Sequence, residues 1–389
     1  MEAQEICCET LKTGHADSPE SQGFINDQIS RELLNIWQQI LGVESIAVDQ
    51  NYFDLGGDSS LAVQMFARIE DTFNVKLPLA TLYEAPTINE LASVLRGEVS
   101  PSRWSPLVEI QTQGSRPPFF CVHPHGGNVL VYRELSKQLG PDQPFFGLQS
   151  RGLDGSEPPL ETIEDMAELY RTEIRKVQPH GPYFLGGYCM GGAVAYEIAC
   201  QLRNAGEEVA LLALFDTMEF SSFATPSFLQ MSYYNCQRFA FHAANVLKLN
   251  SGDRSKFISE KVRGLRLRLP VWIASATNNS EGEKPSEADA LGRVWKANFD
   301  AYLKYVAKPY PGTVTDIRPH SQYHLFDDSR LKWDRLAMSG QRIVTLPVNP
   351  PAILSDPFVK HLAQTLKQCI DQAIEANSVS SNHASNICC

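Results

Sequence analysis

The sequence predicts two domains of different class. A small all-α four-helix bundle spans residues 28–98, and an α/β domain follows over residues 107–376, with helices on both faces of a parallel sheet. Three observations predict this. The chain has 389 residues, too many for one small domain. Apolar residues recur at helical spacing as far as Leu95, whereas beyond Leu107 short apolar runs alternate with amphipathic stretches. Between the two patterns lies GEVSPSRWSP, whose small residues and prolines read as a linker, placed at 99–106.

In the first domain, Leu33, Ile36, Trp37, Ile40 and Leu41 share one helical face. A loop carrying Val48, Tyr52, Phe53 and Leu55 closes on Gly56–Gly57, and a second helix starts near Ser59 with Leu61, Met65, Ile69 and Phe73 as its stripe. Pro78 and Pro86 cut the chain into short pieces, and a last helix over residues 87–96 turns Ile88, Leu91 and Leu95 inward. In the second domain, strands are expected at Phe119–Val122, Phe145–Leu148, Tyr183–Leu185, Val209–Phe215, Gly312–Ile317 and Arg342–Val348. Helices are expected over Ile163–Val177, Gly192–Leu202 and Asp356–Ile374. Residues 220–290 interrupt this rhythm and read as an inserted lid. Its aromatics, Phe220, Phe223, Phe228, Tyr233, Tyr234, Phe239 and Phe241, are expected to cover an apolar pocket. Residues 1–27 read as a flexible tail and 377–389 as a disordered one.

Composition narrows the function. A net charge of −11 with no basic block argues against nucleic acid and anionic membrane as partners. No run of 18 apolar residues is present to span a membrane, and the polar, acidic N-terminal stretch lacks the order of a signal peptide. Nine cysteines without metal-ligand spacing suit a reducing compartment, so a cytoplasmic location and no metal are expected.

Two short motifs carry chemistry. Leu55–Gly56–Gly57–Asp58–Ser59–Ser60 places a serine at a helix N-terminus, where the helix dipole favours the phosphate of a phosphodiester. A plain N-cap on the second helix would use the same residues. Gly187–Tyr188–Cys189–Met190–Gly191 follows a strand and opens a helix, the context a nucleophile elbow requires. It places the second domain in the α/β-hydrolase fold with a helical lid and makes Cys189 the nucleophile. His123–Pro124–His125–Gly126–Gly127 follows another strand. The backbone N–H groups of His125 and Gly126, with that of Met190, would form an oxyanion hole. Asp216, at the end of the strand after the elbow, is the candidate acid.

The tract FDLGGDSSLAVQMFARIEDTFNVKLPLATLYEAPTINELASVL resembles the carrier domains of nonribosomal peptide synthetases and polyketide synthases. The resemblance implies a 4'-phosphopantetheine attached covalently to Ser59 by a phosphopantetheinyl transferase. It implies that the arm tethers an acyl or peptidyl thioester substrate for the next domain. The tracts PPFFCVHPHGGNVLVYRELSKQL, GPYFLGGYCMGGAVAYEIA and YLKYVAKPYPGTVT resemble the thioesterase domains that release products from the same assembly lines. Together they imply a terminal carrier–thioesterase didomain, supplied by upstream synthase modules, that passes the acyl group from Ser59 to Cys189. The acyl group then leaves by cyclisation, condensation or hydrolysis.

Two departures from that family stand out. Cysteine replaces the usual serine. The family's histidine, in a stretch like V-P-G-D-H-x-x-M-L, aligns with Pro350 in LPVNPPAIL, and proline moves no proton. His125 is the first substitute, with His320, His324 and His361 behind it. The thiol itself is expected to ease the loss, because a helix N-terminus lowers a cysteine pKa. The alternative is a degenerate domain that binds the acyl carrier or docks partners without turnover.

Overall fold

The computed structural model describes residues 28–99, 104–217, 228–250, 252, 254, 258, 287–323 and 333–387. The N-terminal tail and His324 lie outside them. Four helices form the first unit: α1 (Gln28–Leu41), α2 (Ser59–Phe73), α3 (Thr81–Glu84) and α4 (Ile88–Leu95). Their apolar stripes meet in one cluster that buries Leu33, Trp37, Met65, Ile69 and Leu91 completely. Trp37 meets Tyr52 of the α1–α2 loop edge to face at 5.4 Å between ring centroids, tying that loop to the core. Thr87 starts α4 with a capping box: its hydroxyl accepts from Glu90 N at 3.2 Å while Glu90 Oε2 accepts from Thr87 N at 3.1 Å.

The second unit is a seven-stranded sheet in the order β1-β3-β2-β4-β5-β6-β7. The strands are β1 (Leu107–Gln111), β2 (Phe119–Val122), β3 (Phe145–Leu148), β4 (Tyr183–Tyr188), β5 (Val209–Phe215), β6 (Val314–Pro319) and β7 (Gln341–Leu346). The expected sheet was parallel. Six strands are, but β1 pairs antiparallel with β3 along one edge. The connection from β1 to β2, residues 112–118, is too short for a crossover helix, so β1 runs opposite to β2 and β3. Helices α5 (Arg133–Leu139), α6 (Ile163–Val177) and α7 (Met190–Asn204) connect the strands, and the sheet is covered by two apolar clusters, one on each face. Strands β2 and β3 are buried along their whole length and read as continuous apolar runs for that reason.

Between β5 and β6 lie α8 (Phe228–Lys248) and α9 (Glu287–Lys304), in and beyond the expected lid. The last helix, α10 (Val359–Ile387), continues well past residue 376, where a disordered tail was expected. No proline or glycine occurs between Val359 and Ile387 to stop it. The two units touch where Leu130, in a 3-10 turn before α5, is buried in the bundle's own cluster.

Candidate active site

Cys189 and Asp216 occupy equivalent places on neighbouring strands. Tyr188, the last residue of β4, pairs with Phe215, the last of β5, so the next residue of each strand leaves the sheet at its carboxyl edge. Cys189 N donates to Phe215 O at 2.9 Å and Asp216 N to Ile317 O at 2.9 Å. Both have positive φ, 56° for Cys189 and 44° for Asp216. A cysteine at φ 56°, ψ −125° is strained, at a cost of about 1–3 kcal/mol. The turn holds it there to start α7 at Met190 and to point the thiol off the sheet edge. The elbow glycines are required by close approach. A Cβ on Gly187 would lie 2.3 Å from the Gly191 backbone, and one on Gly191 would lie 2.4 Å from the His123 carbonyl oxygen. The elbow and the His123–Gly127 loop are therefore packed backbone against backbone.

The Cys189 thiol departs from expectation. Burial pushes it up to about 11; a hydrogen bond from the Met190 backbone lowers it and the Asp216 charge raises it, and burial outweighs both. The helix N-terminus does not produce a resting thiolate. Asp216 is itself pushed up to about 7, by burial first and then by Asp316, with Arg318 opposing. Asp316, buried on β6, accepts hydrogen bonds from Arg318 and from Gln341 Nε2 (2.9 Å). Tyrosines complete the surroundings. Tyr188, Tyr234 and Tyr323 are held protonated, by burial first; the Asp216 charge acts on all three, and that of Cys189 on Tyr188 and Tyr234. The Tyr234 and Tyr323 rings lie 4.7 Å apart, and Phe241 packs on Tyr323 at 5.3 Å.

The histidines are placed elsewhere. His123 is fully buried; its Nδ1 donates to Pro124 O and its Nε2 accepts from Tyr170 Oη, both at 2.8 Å. His125, the first substitute base, packs its ring on Trp295 at 4.8 Å and Phe299 at 5.3 Å, both on α9. Burial lowers it to about 4, so it is neutral and weakly basic, and among the described residues its Nε2 has no hydrogen-bond partner. Asn298 Nδ2 donates to His125 O at 2.9 Å, fixing the loop to α9. His320 is exposed and its Nδ1 donates to Val348 O at 2.7 Å. His361 lies on α10.

At the position expected for a base, Pro350 is buried and opens a 3-10 turn, Pro350–Ala352. Its neighbour Asn349 is buried and bonded through N (3.2 Å) and Nδ2 (3.0 Å) to Asn245 Oδ1 on α8. Of the lid aromatics, Tyr234 and Phe241 turn inward, whereas Tyr233 and Phe239 are exposed; Phe220 and Phe223 lie outside the described residues. Three contributors had no signal in the local sequence: Tyr323, Asp316 and the Asn245–Asn349 pair.

In the bundle, the motif loop leads directly into α2. Ser59 opens α2, and Asp58 Oδ1 accepts from Leu61 N at 2.9 Å, so Asp58 caps the helix and leaves Ser59 at its N-terminus. A Cβ on Gly57 would fall 2.3 Å from the Tyr52 ring, which seats the loop on the core. A phosphodiester suits such a helix start.

Known proteins agree with both halves. Residues 31–95 match the phosphopantetheine attachment site family and residues 117–225 the thioesterase domain family. The chain thus carries a phosphopantetheine carrier domain followed by a thioesterase domain with an α/β-hydrolase-like sheet and helices, and the cofactor of the carrier domain is covalent phosphopantetheine. It is 42% identical to malpinin synthetase of Mortierella alpina over 52% of this chain and 3% of that one. It is 43% identical to a dimodular nonribosomal peptide synthase of Bacillus subtilis (strain 168) over 47% of this chain and 8% of that one. The chain thus spans less than a tenth of either relative's length. The crystal structure of a holo four-domain nonribosomal peptide synthetase bound to AMP and glycine is similar over 92% of this chain and 27% of that one, with 27% identity and a TM-score of 0.53. Among the described residues no helix is long and apolar enough to cross a membrane, and no cluster of side chains is suited to a metal.

Proposed function

We propose that this chain releases the product of a peptide-synthetase-type assembly line through an acyl-Cys189 intermediate, and that Ser59 bears the arm. When attached, phosphopantetheine supplies the thiol that holds the acyl group as a thioester. Cys189 attacks the acyl carbon: a C–S bond forms at Cys189, the donor C–S bond breaks, and the Cys189 proton ends on the departing thiol. The exchange is neutral in protons and close to isoenergetic, and the thiol, though held protonated at rest, is a far stronger acid and nucleophile than water. The Met190 N–H, with those of the His125–Gly126 loop, would stabilise the oxyanion. Water is a far weaker acid and nucleophile than a thiol or an amine, so its attack depends on a base to take its proton, and Pro350 offers none. The acyl-enzyme therefore favours an amine or thiol, or a nucleophile that the substrate itself holds at high local concentration, and release proceeds by cyclisation or condensation ahead of hydrolysis.

The single observation that carries this reading is the strained Cys189 at φ 56° on a glycine-flanked elbow, beside Asp216. A docking module without turnover has no need of such strain. Upstream synthase modules and a phosphopantetheinyl transferase are the implied partners. The test is to load the arm with a labelled acyl group and map the label by peptide mass spectrometry. Label is expected first on the Ser59 peptide and then on the Cys189 peptide. Label that never leaves the Ser59 peptide would refute the proposal.

A further inference from the structure

The corner made by the 3-10 turn Leu130–Tyr132 and the start of α5 faces two ways. On its outer side it meets the bundle. The Arg133 guanidinium lies 4.3 Å above the Phe53 ring and 3.5 Å from the Asp54 carboxylate. Phe53 and Asp54 immediately precede the Leu55–Ser60 motif. Glu134 holds the guanidinium from the other side at 2.6 Å. Tyr83, in α3, donates from Oη to Val129 O at 3.1 Å, and its ring lies 6.2 Å from Phe53. Leu130 is 5% exposed and belongs to the bundle's apolar cluster, while Ala80 and Tyr83 of the bundle pack against the hydrolase cluster.

On its inner side the same corner holds the reaction centre. Tyr132 Oη donates to Val122 O at 2.5 Å and accepts from Tyr188 N at 3.1 Å. Val122 leads into the His123–Gly127 loop, and Tyr188 leads into Cys189. One buried tyrosine thus joins the oxyanion loop, the nucleophile strand and the turn on which the bundle rests.

We propose that this corner is the productive docking surface for the chain's own carrier bundle, with Arg133 as the residue that recognises it through Phe53 and Asp54. The proposal rests on the releasing function argued above. Tethering already gives the bundle a high local concentration. Docking adds orientation, holding Phe53 and Asp54, just before the motif, against this corner. An arginine suits the task because it stacks on an aromatic ring and pairs with a carboxylate at once, which lysine does not do equally.

The test compares two acyl donors in the full chain: the group loaded on the arm of Ser59, and a small acyl-N-acetylcysteamine thioester added free. In Arg133→Ala and in Phe53→Ala, the rate of Cys189 acylation from the arm, divided by the rate from the free thioester, is expected to fall about tenfold. The double variant should lower the ratio no further than either single one, as for two partners of one contact. Hydrogen exchange of the unloaded chain supplies a second readout. Amides in segments 78–84 and 129–135 should exchange faster in both variants than in the unaltered protein. An unchanged ratio, an equal fall with both donors, or unchanged exchange would each overturn the proposal. If Cys189 took acyl groups from neither donor, the releasing function would fail, and the exchange result alone would decide whether the bundle docks here.

Discussion

The nucleophile elbow and the turn after β7 lie at the same edge of the sheet, yet they are built in opposite ways. At the elbow, five consecutive residues supply strand end, strained thiol, helix start and the glycines that admit the neighbouring loop. At the turn, Pro350 is buried and Asn349 is spent on Asn245 of the lid helix, so the position is filled by packing and amide hydrogen bonds. Under the proposed function, the contrast means that this site captures an acyl group without a dedicated means of activating water. Capture uses a thiol, a much stronger acid and nucleophile than water, whereas hydrolysis has to activate water itself.

That contrast can be broken in four places. Replacing the thiol should have the largest effect: Cys189→Ser should lower acyl capture about 10³-fold, because a hydroxyl without a base does not attack a thioester. Brisk turnover by this variant in a thiol-release assay would reveal a base. Asp216 comes next. The folded state holds its proton up to about pH 7, whereas an unfolded aspartate releases it near pH 4. Between those values the folded state binds more protons, so this group's contribution to stability falls as pH rises from about 4 to about 7. Asp216→Asn should flatten that slope and leave the protein more stable at pH 8 by roughly 2–4 kcal/mol in urea unfolding.

The base position can be refilled. Pro350→His should raise release of free acid about 10- to 100-fold, since a placed general base contributes at least that much. Unchanged hydrolysis would mean that the turn does not present residue 350 to Cys189. The smallest effect belongs to His125→Ala, which should change acyl capture less than about threefold, because its ring is committed to Trp295 and Phe299 and its basicity is low. A large loss in single-turnover measurements would return His125 to the reaction.

Much of this was legible from short stretches of sequence. Strands β2, β3 and β5 begin and end where their apolar runs do, and the elbow was readable because a sharp strand-to-helix turn needs its glycines side by side. The edge strand β1 was not, since it is only partly buried and carries no continuous apolar run. The direction of the Cys189 shift was misjudged for a related reason. A helix N-terminus is visible in the sequence, but the enclosure of the sulfur, which prevails, is made by residues far apart. Tyr132 reaches Tyr188 across 56 positions, and Asn245 reaches Asn349 across 104, so neither contact leaves a local mark.

The central claim is that Cys189 captures the acyl group faster than water removes it. A single-turnover time course of the loaded didomain, quenched and weighed intact, tests it most directly. The mass of the acylated chain should persist while the label moves from the Ser59 peptide to the Cys189 peptide, and added amine or thiol should discharge it faster than buffer does. Loss of the acyl mass as free acid, at the same rate in the Cys189→Ala chain and without label ever reaching the Cys189 peptide, would contradict the account.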